Sequence, residues 1–127
     1  MRRILFFLLT AFFVAAASAA ALSPAAKTEI DGLMSRLEAS ACEFNRNGSW
    51  HTAPQAKAHL LNKLQYFEER GAVNSAEQFI ELAASKSSIT GKAYLVKCSG
   101  GQPVPSSAWL LSQLQLMRSA ASARKTP

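Results

Sequence analysis

The chain has 127 residues, 49% of them hydrophobic, with 14 basic against 8 acidic side chains and a formal charge of +6. That length suits a single domain. The basic residues form no run and do not interleave with aromatic residues, which argues against a nucleic-acid platform.

The chain begins with Arg2 and Arg3, an apolar run over residues 4–17, and Ala17-Ser18-Ala19 in the A-x-A arrangement that a signal peptidase reads. A signal peptide over residues 1–19 is expected, leaving one helical domain over 20–127 in the periplasm or outside the cell. Without the two arginines the basic count falls from 14 to 12 and the charge to +4. The competing reading is an uncleaved membrane anchor, because residues 4–22 are almost long enough to span a bilayer. The weakly hydrophobic, alanine-rich second half and the lack of a charged stop favour cleavage.

Ser23 and Pro24 read as the cap and first position of a helix, with Ile30, Leu33, Met34, Leu37 and Ala41 at helical spacing. Cys42 stands at its end. Asn47-Gly48 suits positive backbone dihedrals and predicts a reversal. Thr52-Ala53-Pro54-Gln55 matches a capping box, opening a helix to about Glu69 with Ala53, Ala56, Leu60, Leu64 and Phe67 on one face. After Gly71, Ser75-Ala76-Glu77-Gln78 is a second capping box before a short helix through Phe79, Ile80 and Ala83.

A polar loop to Lys92 then gives way to alternation through Tyr94, Val96 and Cys98, one short extended segment with no evident partner. Pro103 and Pro105 lead to a last helix capped at Ser106 or Ser107 and carrying Trp109, Leu110, Leu114 and Met117, with a frayed tail after it. The expected fold is therefore mainly α, a compact four-helix domain with one extended segment.

Cys42 and Cys98 are the two cysteines, and in an oxidising compartment an even pair is most simply a disulfide. Buried thiols and a metal site are the alternatives; Cys42, Cys98, His51 and His59 lack zinc-ligand spacing, so no metal is expected. Closing so long a loop stabilises the fold by roughly 4 kcal/mol.

No catalytic constellation assembles from the motifs. A hydrolase-like reading would use His59 or His51 as base with Ser88 as nucleophile, yet there is no G-x-S-x-G elbow and Asp31, the sole aspartate, is tied to neither histidine. The glutamates read as solvated helix faces. "ITGK" at residues 89–92 lacks the first glycine and the Ser or Thr of a phosphate loop, so no cofactor is expected. Asn47-Gly48-Ser49 fits the glycosylation pattern and reads more simply as a turn.

Binding is the stronger expectation. A bridge between Cys42 and Cys98 would draw the Asn47-Gly48 turn towards the serine loop, gathering Arg46, Asn47, Trp50, His51, Ser87, Ser88, Lys92 and Tyr94 on one surface with His59 nearby. Arg46, Asn47, His59, Ser87, Ser88 and Tyr94 are the candidate binding residues, for an anionic small molecule or peptide. For these residues the plainer reading is preferred to a binding role: Arg46 and Asn47 satisfy neighbouring carbonyls while Trp50 and Tyr94 fill core, since a buried corner needs such partners whatever the function. An accessory partner of another envelope protein is a further reading, suggested by apolar helix shoulders at Leu61 and Leu111.

The segments "CEFNRNGSWHTAPQAKAHLLNK", "SAEQFI", "SKSSITGKAYLVKC" and "WLLSQL" resemble, in this order, the small exported bacterial proteins of domain-of-unknown-function family 5329. The likeness spans residues 30–117 and rests on Cys42, Phe44, Arg46, Asn47, Gly48, His59, Leu60, Lys63, Ser87, Ser88, Gly91 and Tyr94. Asn45 is more polar and Trp50 bulkier than the family pattern. The resemblance implies export and a shared fold, and brings no activity, ligand or catalytic residue with it.

Overall fold

The computed structural model describes residues 10–13 and 22–125. The signal segment expected at residues 1–19 therefore lies almost wholly outside the described residues. Among those described, no helix is long and apolar enough to cross a membrane.

Helix α1 (Pro24–Ala39) starts where Ser23 Oγ accepts the Ala26 N–H at 3.1 Å, with proline in the first turn. It buries Ile30, Leu33, Met34 and Leu37 and packs against all three other helices. Strand β1 (Glu43–Arg46) follows. Asn47 at φ 52° and Gly48 at φ 86° both occupy the left-handed region, as a two-residue hairpin turn demands, and return the chain into β2 (Ser49–His51).

Thr52 and Gln55 form the reciprocal capping box of α2 (Ala53–Glu68). At α3 (Ala76–Ala83) Ser75 caps as expected, but the Gln78 side chain accepts from Asn74 N–H at 2.7 Å, one residue before the cap. Strands β3 (Leu95–Lys97) and β4 (Val104–Pro105) precede α4 (Ser106–Lys125). Regular helix continues through residues 119–125, where the sequence suggests fraying.

The fold is α+β, which corrects the expectation of a mainly α, four-helix domain with a single extended segment. Four strands make an antiparallel sheet in the order β2-β1-β3-β4. Each is only two to four residues long. Only β3, inside the alternation that runs from Tyr94 to Cys98, shows as the expected extended segment; the others are too short to register as a period of two. Those three hide under stronger signals: β1 and β2 under their turn, and β4 under a proline that an edge strand tolerates.

The β1–β3 register pairs Phe44 with Val96 and Glu43 with Lys97. Cys42 and Cys98 continue it by one pair and are joined by a disulfide, with their Cα atoms 4.3 Å apart. The bridge thus staples the two central strands. Phe44 and Val96 face the helices, and Phe44 meets Trp109 of α4 edge-on at 5.8 Å. Around them lie Ile30, Leu33, Leu60, Phe79, Ile80, Leu110 and Leu114, all buried.

Candidate functional site

Alternation along β1 puts Arg46 on the same face as Phe44, two pairs nearer the turn and at the edge of the core. Across from it α2 carries His59 and Lys63, a turn apart and hence on one helix face. Tyr94, just before β3, completes the group; it is buried, whereas Arg46, His59 and Lys63 are half-buried.

Arg46 Nη1 lies 2.5 Å from His59 Nδ1. A guanidinium can only donate, so Nδ1 accepts and the ring is neutral with its proton on Nε2. That nitrogen is 3.1 Å from the Tyr94 hydroxyl, to which it donates. Lys63 Nζ also donates to the Tyr94 hydroxyl, at 3.1 Å, and to the Lys86 carbonyl at 3.0 Å, while standing 4.9 Å from the Tyr94 ring centre.

Electrostatics agree with this assignment. Burial, then the positive charges of Arg46, Lys63 and His51, push His59 down from 6.5 to about 4. Burial and the Arg46 charge also lower Lys63. Burial raises Tyr94, against the pull of Arg46. Among the described residues, the ion pairs join Lys57 to Glu38, Lys97 to Glu43, and Arg118 to Glu29 and Glu77. None neutralises Arg46 or Lys63.

Beside this group, the hairpin turn is fastened to the loop after α3. Ser87, itself buried, accepts at Oγ from the Ile89 and Thr90 N–H groups and from Asn47 Nδ2, each at 3.3 Å. Thr90 Oγ1 donates back to Asn47 Oδ1 at 2.6 Å. The turn and the serine loop therefore form one surface.

Two clefts meet at the cationic wall and share Arg46, His51, His59 and Tyr94. The larger, about 850 Å³, runs between hairpin, α2 and loop, and is lined also by Asn47, Asn62, Lys63, Tyr66, Phe67, Ser87, Ser88 and Ile89. The smaller, about 260 Å³, is walled chiefly by Phe44, Ala56, Leu60 and Tyr94. No carboxylate lines either.

All six residues singled out from the sequence, Arg46, Asn47, His59, Ser87, Ser88 and Tyr94, line the larger cleft. Trp50 and Lys92 do not. Trp50 lies on the outer face of the sheet, 40% exposed, with Lys97 Nζ 4.8 Å from its ring centre. Tyr94 contributes to core and cleft together. Lys63, Asn62, Tyr66 and Phe67 were not singled out as site residues. The signal for Lys63 was its spacing, four residues after His59 on a predicted helix.

For acid–base or nucleophilic chemistry the arrangement offers little. Both His59 ring nitrogens are engaged, the Ser87 hydroxyl accepts three donors, and among the described residues no hydrogen bond links either histidine to Ser88. Nor, among them, is there any cluster of three or more His, Cys, Asp or Glu side chains fit to hold a metal ion.

Fold and site together describe a small α+β domain, stapled by one disulfide, with a cationic cleft beside its hairpin. The chain belongs to the family of unknown function DUF5329, whose model matches residues 24–118. It is similar to a protein of Salmonella typhimurium (strain LT2) named "Uncharacterized protein YfeK", with 49% identity over 51 residues. The matched stretch covers 40% of this chain and 41% of that relative, so well under two thirds of the relative's length is spanned. No solved structure matches the chain.

Proposed function

We propose that the protein is exported to the periplasm after loss of residues 1–19 and that the remaining domain, 20–127, binds a small anionic molecule or peptide without transforming it. One observation carries the binding reading: Arg46 and Lys63 converge half-buried on a concave surface that contains no carboxylate. Partly desolvated cations are unfavourable unless an anion completes them. The neutral His59 tethers one guanidinium nitrogen without cancelling its charge. Export draws support from the A-x-A segment and from the Cys42–Cys98 bridge, which oxidising compartments favour.

An accessory role beside another envelope protein ranks second. Leu61 and Leu111 are exposed at 38% and 41%, but lone exposed leucines are ordinary on protein surfaces. Protein purified from the envelope fraction tests both parts of the proposal. Its intact mass should begin at Ala20 with both thiols oxidised. Millimolar acetate or phosphate should raise its unfolding temperature by several degrees, since a ligand at ten times Kd adds about 1.4 kcal/mol. Arg46→Ala should abolish the rise. Uniform lack of stabilisation would overturn the binding reading, and a retained leader would overturn export.

A further inference from the structure

Resting on that anion-binding reading, we propose that the ligand is a monocarboxylate bearing a compact apolar group, a ring or a chain of roughly six carbons. The smaller cleft supplies the apolar half of the argument. Phe44, Ala56, Leu60 and Tyr94 make its apolar wall, Asn45, Gln55 and Ser106 stand at its polar side, and it opens onto the same Arg46, His51 and His59 that border the larger cleft. Its volume, about 260 Å³, exceeds the ~150 Å³ apolar cavity that suffices to hold benzene. An anion seated on Arg46 would therefore carry its apolar substituent straight into a cavity lined to receive one.

The donor set supplies the other half. Arg46 engages His59 through Nη1 and, among the described residues, no hydrogen bond uses its Nε or Nη2. Those two N–H groups make the planar fork that matches the two oxygens of a carboxylate. Lys63 already donates to the Lys86 carbonyl and to Tyr94, which leaves it one N–H to spare. A doubly charged phosphate would have to shed far more water against these few donors.

Calorimetric titration of the full mature chain with acetate, butanoate, hexanoate, decanoate and inorganic phosphate tests the inference. Affinity should rise roughly 4-fold per methylene from acetate to hexanoate, about 250-fold over the four methylenes, and level off by decanoate once the cleft is full. Ala56→Leu, which fills the cleft, should flatten the series, with thermal unfolding used to verify that the variant is folded. Acetate and hexanoate binding alike would overturn this inference and leave the anion reading standing. Phosphate binding more tightly than hexanoate would overturn the choice of a carboxylate. No binding by any of the five would overturn both readings.

Discussion

His59 is where local geometry fixes a chemical state. Arg46 holds its Nδ1 as an acceptor, and burial, with the Arg46 and Lys63 charges beside it, keeps the ring neutral down to about pH 4. The unfolded chain takes up this proton near 6.5, so as pH falls from there the unfolded state gains protons that the folded state does not. Stability conferred by the neutral ring is therefore complete above pH 6.5 and lost progressively down to about pH 4. Because the ring is part-exposed, solvent screening reduces the effect to about 1–2 kcal/mol. His59→Gln retains an acceptor for Arg46 and a donor for Tyr94 without titrating. Denaturant unfolding across this window should show the wild type losing that much more stability than the variant; parallel profiles would refute the assignment.

At the scale of elements, the site depends on one side chain that ties a hairpin to a loop. Asn47 turns the chain at φ 52° and also bonds Ser87 and Thr90. Asn47→Gly keeps the left-handed backbone accessible and removes both bonds, so the fold should survive with a loss of about 1–2 kcal/mol. Hydrogen exchange at the Ile89 and Thr90 amides should accelerate, and unchanged protection would mean the loop holds itself. The same elements show what was legible in the sequence. The caps at Ser23, Thr52 and Ser75 announced three helices, because a cap is a local arrangement of a few adjacent residues. Of the short strands only β3 announced itself, through the alternation around it; β1 is a strand because β3, some fifty residues later, pairs with it. The candidate residues were readable as polar and aromatic clusters in two loops. Lys63 enters the sequence reading only through the family resemblance, because the apolar stripe of its helix says nothing of the polar shoulder beside it, and alternation sends Trp50 to the side of the sheet opposite Arg46.

Across the whole molecule, the disulfide and the cleft belong to one design. The helices alone bury a core through Ile30, Leu33, Phe79, Ile80, Leu110 and Leu114, whereas the small sheet depends on non-local pairing. Closing the 56-residue separation between Cys42 and Cys98 restricts the unfolded chain by roughly 4 kcal/mol and anchors the end of the sheet opposite the hairpin turn. A sheet held in that way can present Arg46 beside Lys63 without an internal counter-charge, the arrangement on which the binding proposal stands. The most direct measurement is a nitrogen–proton NMR titration of the purified protein with acetate and then hexanoate, following backbone amides, the Arg46 Nε–H and the His59 ring. The account predicts saturable shifts confined with acetate to Arg46, His59, Lys63, Tyr94 and the Ser87–Thr90 loop, and extending with hexanoate to Phe44, Ala56 and Leu60 of the smaller cleft. Shifts spread over the surface, or centred on Arg36, Arg118 and Arg124, which line a separate cleft between α1 and α4, would contradict it.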